Sequence, residues 1–368
     1  SGYFSVNFLL PLSAEGASYY ALIPRVLCRG CARYPDQQKI SRRLEELYGA
    51  DISTQNVKRG EAQCVSFVLD VLDNDYLPAG EKIDVLAETA ELLREILFEP
   101  LLCEDGVFLP EYVEGERRNA MDAVRSLINH KSKYATLRAY AEMCRHEAAG
   151  VCADGRIEDY ESLSPQKLMQ YYKEMLGSAH IEIFYVGRQE EETVEALAHS
   201  LFLAAERKGA VLPKTQVIYR AGTPREVIEP VEAAQGILAM GFRTGTVLAD
   251  ADYLSFLLFI RIFSASPMSK LFMNVRERLS LCYFCYASLD GLKGTMLAVA
   301  GIKNENKEIA QREILAQLKE IVEGNISDDE MHCAKESLFN TYRAIYDNPS
   351  GVESWYLTRA CAGLIASP

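Results

Sequence analysis

No stretch of this 368-residue chain approaches the ~18 consecutive apolar residues of a membrane span. Its opening, "SGYFSVNFLLPLS", lacks the basic segment and small-residue cleavage site of a secretory leader. A soluble, cytoplasmic protein that touches no membrane is the expectation. Native residues are expected to be missing at the ends, since "RACAGLIASP" stops without a closing strand. Clusters of positive charge are lacking too. Lys and Arg number 39 against 52 Asp and Glu, and the net charge of -13 repels a polyanion, so nucleic acid is not an expected partner. The same balance hints at basic substrates. Ten cysteines are too sparse for the framework of small secreted domains, and apolar neighbours such as those in "EAQCVSFVLD" point to reduced, buried thiols. Two C-x-x-C pairs, Cys28/Cys31 and Cys282/Cys285, lie too far apart for a zinc ribbon. The second pair falls in a strand-like run, where positions three apart face opposite ways. Cys144, His146 and Cys152 form a looser group, but on a helix Cys144 and His146 point nearly opposite ways.

What is present is an order of elements that occurs twice. An apolar strand, "YFSVNFLLPL", precedes the helical "YYALIPRVLCRGC", which carries Pro24 in its middle. Then comes "DQQKISRRLEELYGADIS", with Ile40, Leu44 and Leu47 on one helical face. A strand "QCVSFVLDVL" and an amphipathic helix "KIDVLAETAELLREILFEP" follow, then helices through "EYVEGERRNAMDAVRSLI" and "YATLRAYAEMC". Ser164-Pro165 marks a helix start, a hydroxyl cap before proline at the first helical position. The half closes with the strand "HIEIFYVG" and a helix over 191–206.

After a polar linker the order restarts. "QGILAMGFRT" reads as a strand, "ADYLSFLLFIRIFS" as a buried helix, and "SPMSKLFMNVRERLS" as a helix capped by Ser266-Pro267. The strands "LCYFCYASL" and "TMLAVAGI" lead to "NKEIAQREILAQLKEIVEGN" and a helix with a capping box of Ser327 and Glu330. "LEELYGADIS" answers "VRERLSLCYF" at an offset of roughly 220 to 232 positions, too long for a solenoid repeat. A duplicated α+β module follows, with a first domain over 1–207, a linker over 208–215, and a second domain over 216–368 truncated at its C-terminus.

This order, with its "L-x-x-L-G" helix, resembles the pitrilysin/insulinase superfamily of zinc peptidases, which includes the mitochondrial processing peptidases and bacterial two-chain relatives. The resemblance implies two homologous domains, each an antiparallel sheet with helices packed on it. Active members carry H-x-x-E-H on the helix after the first strand, two imidazoles facing one ion and a carboxylate that activates water. The phrase that follows this motif matches "LCRGC", which sets the motif on Ala21-Leu22-Ile23-Pro24-Arg25. Ala21 and Arg25 stand at the imidazole positions and Pro24 at the base. A methyl cannot ligate, a guanidinium repels a dication, and proline offers neither a carboxylate nor an amide hydrogen.

The family's third ligand is a carboxylate seven residues after another Glu; Glu116 fits the first, and Ala123 occupies the second, with Asp122 adjacent. None of the five His forms a pair at ligand spacing. No metal or cofactor is therefore expected, and no enzymatic activity from the isolated chain. "NHKSKYATLR" is similar to the N-D-K-x-x-Y-A phrase of a non-peptidase bacterial branch described as the partner of an active paralogue.

The family's other signature is an Arg and a Tyr seven apart that reach substrate at the zinc of the opposite half. Arg276 and Tyr283 have that spacing. Two donors aimed at a developing oxyanion stabilise a transition state. Without the family frame, Arg276 covers a helix face and Tyr283 a sheet, and Pro24 is a tolerated kink. The stretch "SASPMSK", where processing peptidases hold a glycine-rich substrate loop, has no glycine.

The resemblance thus implies a non-catalytic subunit that docks with a zinc-bearing paralogue as a heterodimer, forms half of a peptide chamber and lends it Arg276 and Tyr283. An extended peptide would lie along a sheet edge. The alternative is a scaffold or accessory protein without a peptidase role, for instance in post-translational modification of elongation factor P. A metal at Cys144, His146 and Cys152 is the enzymatic rival, and a homodimer of the duplicated fold is possible in isolation.

Overall fold

Phe4, Val6, Phe8 and Leu10 alternate through the first apolar run, and in the computed structural model of the chain they line the core face of strand β1 (Gly2–Pro11). Residues 2–203, 207–208 and 211–368 are described. They fall into two units, Ser1–Ser126 with Val151–Lys214, and Leu127–Gly150 with Thr215–Pro368.

In the first unit β1 sits inside an antiparallel sheet ordered β2-β3-β1-β4, with β2 Asp51–Arg59, β3 Ala62–Val71 and β4 His180–Val186. Phe8 lies opposite Val65 on one side and Ile181 on the other, which fixes the core face of all three strands. The sequence marks no strand at β2, because this polar, half-exposed edge carries no alternation of apolar residues.

The helices of this unit are α1 (Ala17–Leu27), α2 (Gln37–Glu46), α3 (Val85–Phe98) and α4 (Pro110–Ser126), then, after α5 (Lys131–Met143) of the other unit, α6 (Ile157–Glu161), α7 (Pro165–Ser178) and α8 (Glu191–Phe202). Asp36, Asp84 and Ser164 cap α2, α3 and α7, accepting from the backbone N–H of Lys39, Ala87 and Lys167 at 2.9, 3.2 and 3.1 Å. The helix over 191–206 ends at Phe202, and the rest of that expectation, Ala204 to Glu206, lies outside the described residues, as do positions 209–210 of the linker.

The second unit has a sheet of order β5-β7-β6, with β5 Gly236–Arg243, β6 Cys282–Asp290 and β7 Thr295–Ile302. The order β6-β7-β5 repeats β2-β3-β1, so the duplicated module of the sequence is a duplicated sheet topology. Helix α9 (Tyr253–Ile260) runs on into a wider turn over Arg261–Ala265. A second wide helix, Leu271–Arg278, closes through i→i+5 bonds such as Leu279 N–H to Asn274 O at 3.2 Å. After the strands come α10 (Lys307–Val322), α11 (Asp328–Ile345) and α12 (Pro349–Cys361). The capping box opens α11 as the sequence indicates.

Two expectations change. Ser266-Pro267 does not start a helix: the pair sits in a turn, the Ser266 hydroxyl is buried without a partner, and the wide helix begins only at Leu271. The segment Leu127–Gly150, which chain order puts in the first half, packs with the second unit. Polar contacts hold it there: Tyr140 donates to Asp290 at 2.7 Å and Arg243 to the Met143 carbonyl at 2.8 Å.

Candidate functional site

Helix α1, which carries Ala21, Pro24 and Arg25, is buried at every position except Arg25. It packs against α4, α7, β2 and β3. Ala21, 5% exposed, offers only a methyl. Pro24 has no N–H to give the Tyr20 carbonyl, yet the helix passes through it, and its own carbonyl accepts from Cys28 N–H at 3.1 Å. The start of α1 is fixed from outside by Gly155. At φ +75° this residue lies so close that a Cβ would meet the Ser18 hydroxyl at 2.1 Å.

On α4, Glu116 is buried and its Oε1 accepts from Arg29 at 3.5 Å. A guanidinium therefore faces this carboxylate. Ala123 is exposed near the end of α4, and Asp122 is engaged with Arg125 at 3.1 Å. Burial, reinforced by the charges of Glu116 and Asp51, pushes the Cys28 thiol up to about 12, so it stays protonated. Among the described residues no three His, Cys, Asp or Glu side chains converge to hold a metal ion. Zinc does not fit this helix: it meets a methyl, a ring and a cation.

The Cys144 group does not assemble on its own helix end either. Cys144 is fully buried, while His146 is exposed and its Nε2 accepts from Arg145 at 2.9 Å.

Arg276 and Tyr283 sit at the junction of the wide Leu271–Arg278 helix and β6. The Arg276 guanidinium lies 4.9 Å from the Phe272 ring centroid and 3.5 Å from Glu277 Oε1, on a side chain 44% exposed. Across the β6–β7 ladder Cys282 faces Ile302 and Phe284 faces Gly301, which leaves Tyr283 as an extra residue in a β-bulge. The bulge turns Tyr283 outward, 61% exposed. It also overturns the expectation for Cys282 and Cys285. Both thiols are buried in the same core cluster, because the extra residue resets the alternation between them. Interaction with the Cys285 thiol holds the Cys282 thiol below its ordinary pKa against burial, with help from the Arg276 charge.

Further along β6, the exposed Tyr286 hydroxyl meets Ser132 Oγ at 3.1 Å. Tyr286 also walls a cleft of about 560 Å³ together with His130, Lys131, Lys133 and Thr136. The lining is basic, opposite in sign to the chain as a whole. One buried ionic group has no signal in the sequence. Glu147 accepts from Arg243 at 3.0 Å and from Lys293 at 2.7 Å, with all three side chains at most 6% exposed. Its members come from three separate parts of the chain.

The family described as "Peptidase M16 inactive domain" matches residues 162–338. "Probable inactive metalloprotease YmfF" of Bacillus subtilis (strain 168) is 28% identical over 356 residues, 97% of this chain and 83% of that protein. Over almost its whole length this chain is similar to an inactive M16-type peptidase homologue, and residues 162–338 match the inactive domain of that family. Solved structures share the fold. A conserved protein from Enterococcus faecalis V583 matches with a TM-score of 0.90 at 27% identity, covering 100% of this chain and 85% of the other. The peptidase M16 inactive domain from Pseudomonas fluorescens matches at 0.73 and 18% identity, over 93% and 79%, and shows the fold alone. The likeness to inactive M16 homologues supports a non-catalytic chain, and the side chains of Ala21, Pro24 and Arg25 offer neither a zinc ligand nor a base.

Proposed function

We propose that this M16 homologue is the non-catalytic subunit of a two-chain peptidase, and that it lends Arg276 and Tyr283 to the site of a zinc-bearing paralogue. The observation that supports this reading is the bulge in β6. A buried strand position gains little from a bulge, but here it aims a phenol into solvent beside an exposed guanidinium, with neither side chain used in the core. An extended peptide would lie along β6, which pairs only with β7 and so leaves one ladder edge unpaired among the described strands. The basic cleft beside Tyr286 would favour acidic side chains in that peptide. The free thiols of Cys28, Cys31, Cys103, Cys282, Cys285 and Cys333 suit a reducing cytoplasm.

The test pairs the chain with a paralogue that retains H-x-x-E-H and follows turnover of an unstructured peptide. With the complex intact by gel filtration, Arg276→Ala and Tyr283→Phe should each lower turnover about 10²–10³-fold, the usual effect of losing one oxyanion donor. Unchanged turnover in an intact complex would leave a scaffold role instead.

A further inference from the structure

We propose that the cleft between α5 and β6 reads the spacing of acidic side chains in an extended peptide, taking two carboxylates that stand two residues apart. Its walls all belong to the second unit: His130, Lys131, Lys133 and Thr136 from the start of α5, and Tyr286 from β6. A volume of about 560 Å³ lies within the range of ligand pockets. Glu229, which contacts α5, is taken up by Tyr134 at 2.8 Å and Arg138 at 2.7 Å, and among the described residues no carboxylate pairs with Lys131 or Lys133. The first turn of α5 holds no acid, so the two lysines stand where the helix dipole disfavours a cation. That placement costs stability, and an anionic occupant offsets the cost.

The strand fixes which peptide positions reach the cleft. Cys285 and Ala287 face the core cluster, so Tyr286 between them faces the other side of β6, where its hydroxyl meets Ser132 Oγ at 3.1 Å. A peptide added to the free edge of β6 turns every second side chain to that same face, ~6.6–6.8 Å apart. Carboxylates at positions i and i+2 therefore both enter the cleft, whereas adjacent ones send one to the opposite face. This rests on the reading that a peptide lies along β6, but not on the loan of Arg276 and Tyr283 to a partner.

The test titrates the full chain alone, by fluorescence anisotropy, with two labelled Thr/Val peptides. One carries Glu-Thr-Glu and its isomer carries Glu-Glu, so composition and net charge are the same and only the spacing differs. The alternating isomer should bind about fivefold tighter, the scale of one further part-exposed ion pair, and high salt should erase the difference. Lys131→Ala with Lys133→Ala should bring the alternating isomer down to the level of the adjacent one. Lys133→Ala alone, at an exposed position, should lose part of the preference, and Lys319→Ala on α10 should leave both affinities unchanged. Equal affinities for the two isomers, no binding of either, or a preference that the double lysine variant keeps would overturn the proposal. A spacing preference that holds while Arg276→Ala leaves turnover of the paired complex unchanged would sink the two-chain reading and leave this site standing.

Discussion

Pro24 illustrates how a residue's chemistry and its packing separate. Proline in a helix interior costs about 3 kcal/mol relative to alanine. Truncation to alanine also removes two buried methylenes at ~0.8 kcal/mol each. The helix term wins, so Pro24→Ala should stabilise the chain by roughly 1.4 kcal/mol in urea unfolding, and it should restore no activity. Glu147 shows the opposite balance. Burial pushes its carboxyl up, but hydrogen bonds and charge from Arg243 and Lys293 outweigh that and hold it below the ordinary carboxylate range. A depressed folded pKa gives stability that is present above the unfolded value of ~4.3 and is lost as pH falls through the folded one. Glu147→Gln should therefore cost about 3–5 kcal/mol at neutral pH, by stranding two buried cations, and flatten the stability profile below roughly pH 4.3. A urea series across pH checks both effects. What Ala21, Pro24 and Arg25 can ligate is legible residue by residue, because each side chain's type alone decides it. The Glu147 group is not, since Glu147 and Arg243 stand 96 positions apart and only the fold brings them together.

Among elements, the long periodic helices and the buried strands were readable from spacing, as with β1 and α3. Edge strands and irregular helices were not: β2 is polar along its length, and the bulge in β6 depends on the register of β7 rather than on any local signal. The two serine caps make a paired test. Ser327 accepts from Glu330 N–H at 3.2 Å and Glu330 returns a bond from Ser327 N–H at 2.8 Å, so Ser327→Ala should cost about 1 kcal/mol. Ser266 caps nothing and its hydroxyl is buried unpaired, so Ser266→Ala should be neutral or slightly stabilising. Thermal unfolding of the two variants side by side decides the matter; an equal loss in both would restore Ser266 as a cap.

Over the whole molecule, the repeated order of elements becomes a repeated sheet order, β2-β3-β1 and β6-β7-β5, and the sequence offset already carried that duplication. The unit boundary was less legible, because Leu127–Gly150 follows helices of the first unit in the chain but packs on β5 and β7. Helix periodicity records that a face is buried and not which sheet buries it. The central claim is that an M16 fold has kept its zinc helix as packing and lost its chemistry. The most direct measurement is a calorimetric zinc titration of the purified lone chain, with hydrolysis of an unstructured peptide followed in the same sample. The account predicts no stoichiometric site and no turnover. One zinc per chain, displaced by substitutions along Ala21 to Arg25 and accompanied by cleavage, would contradict it.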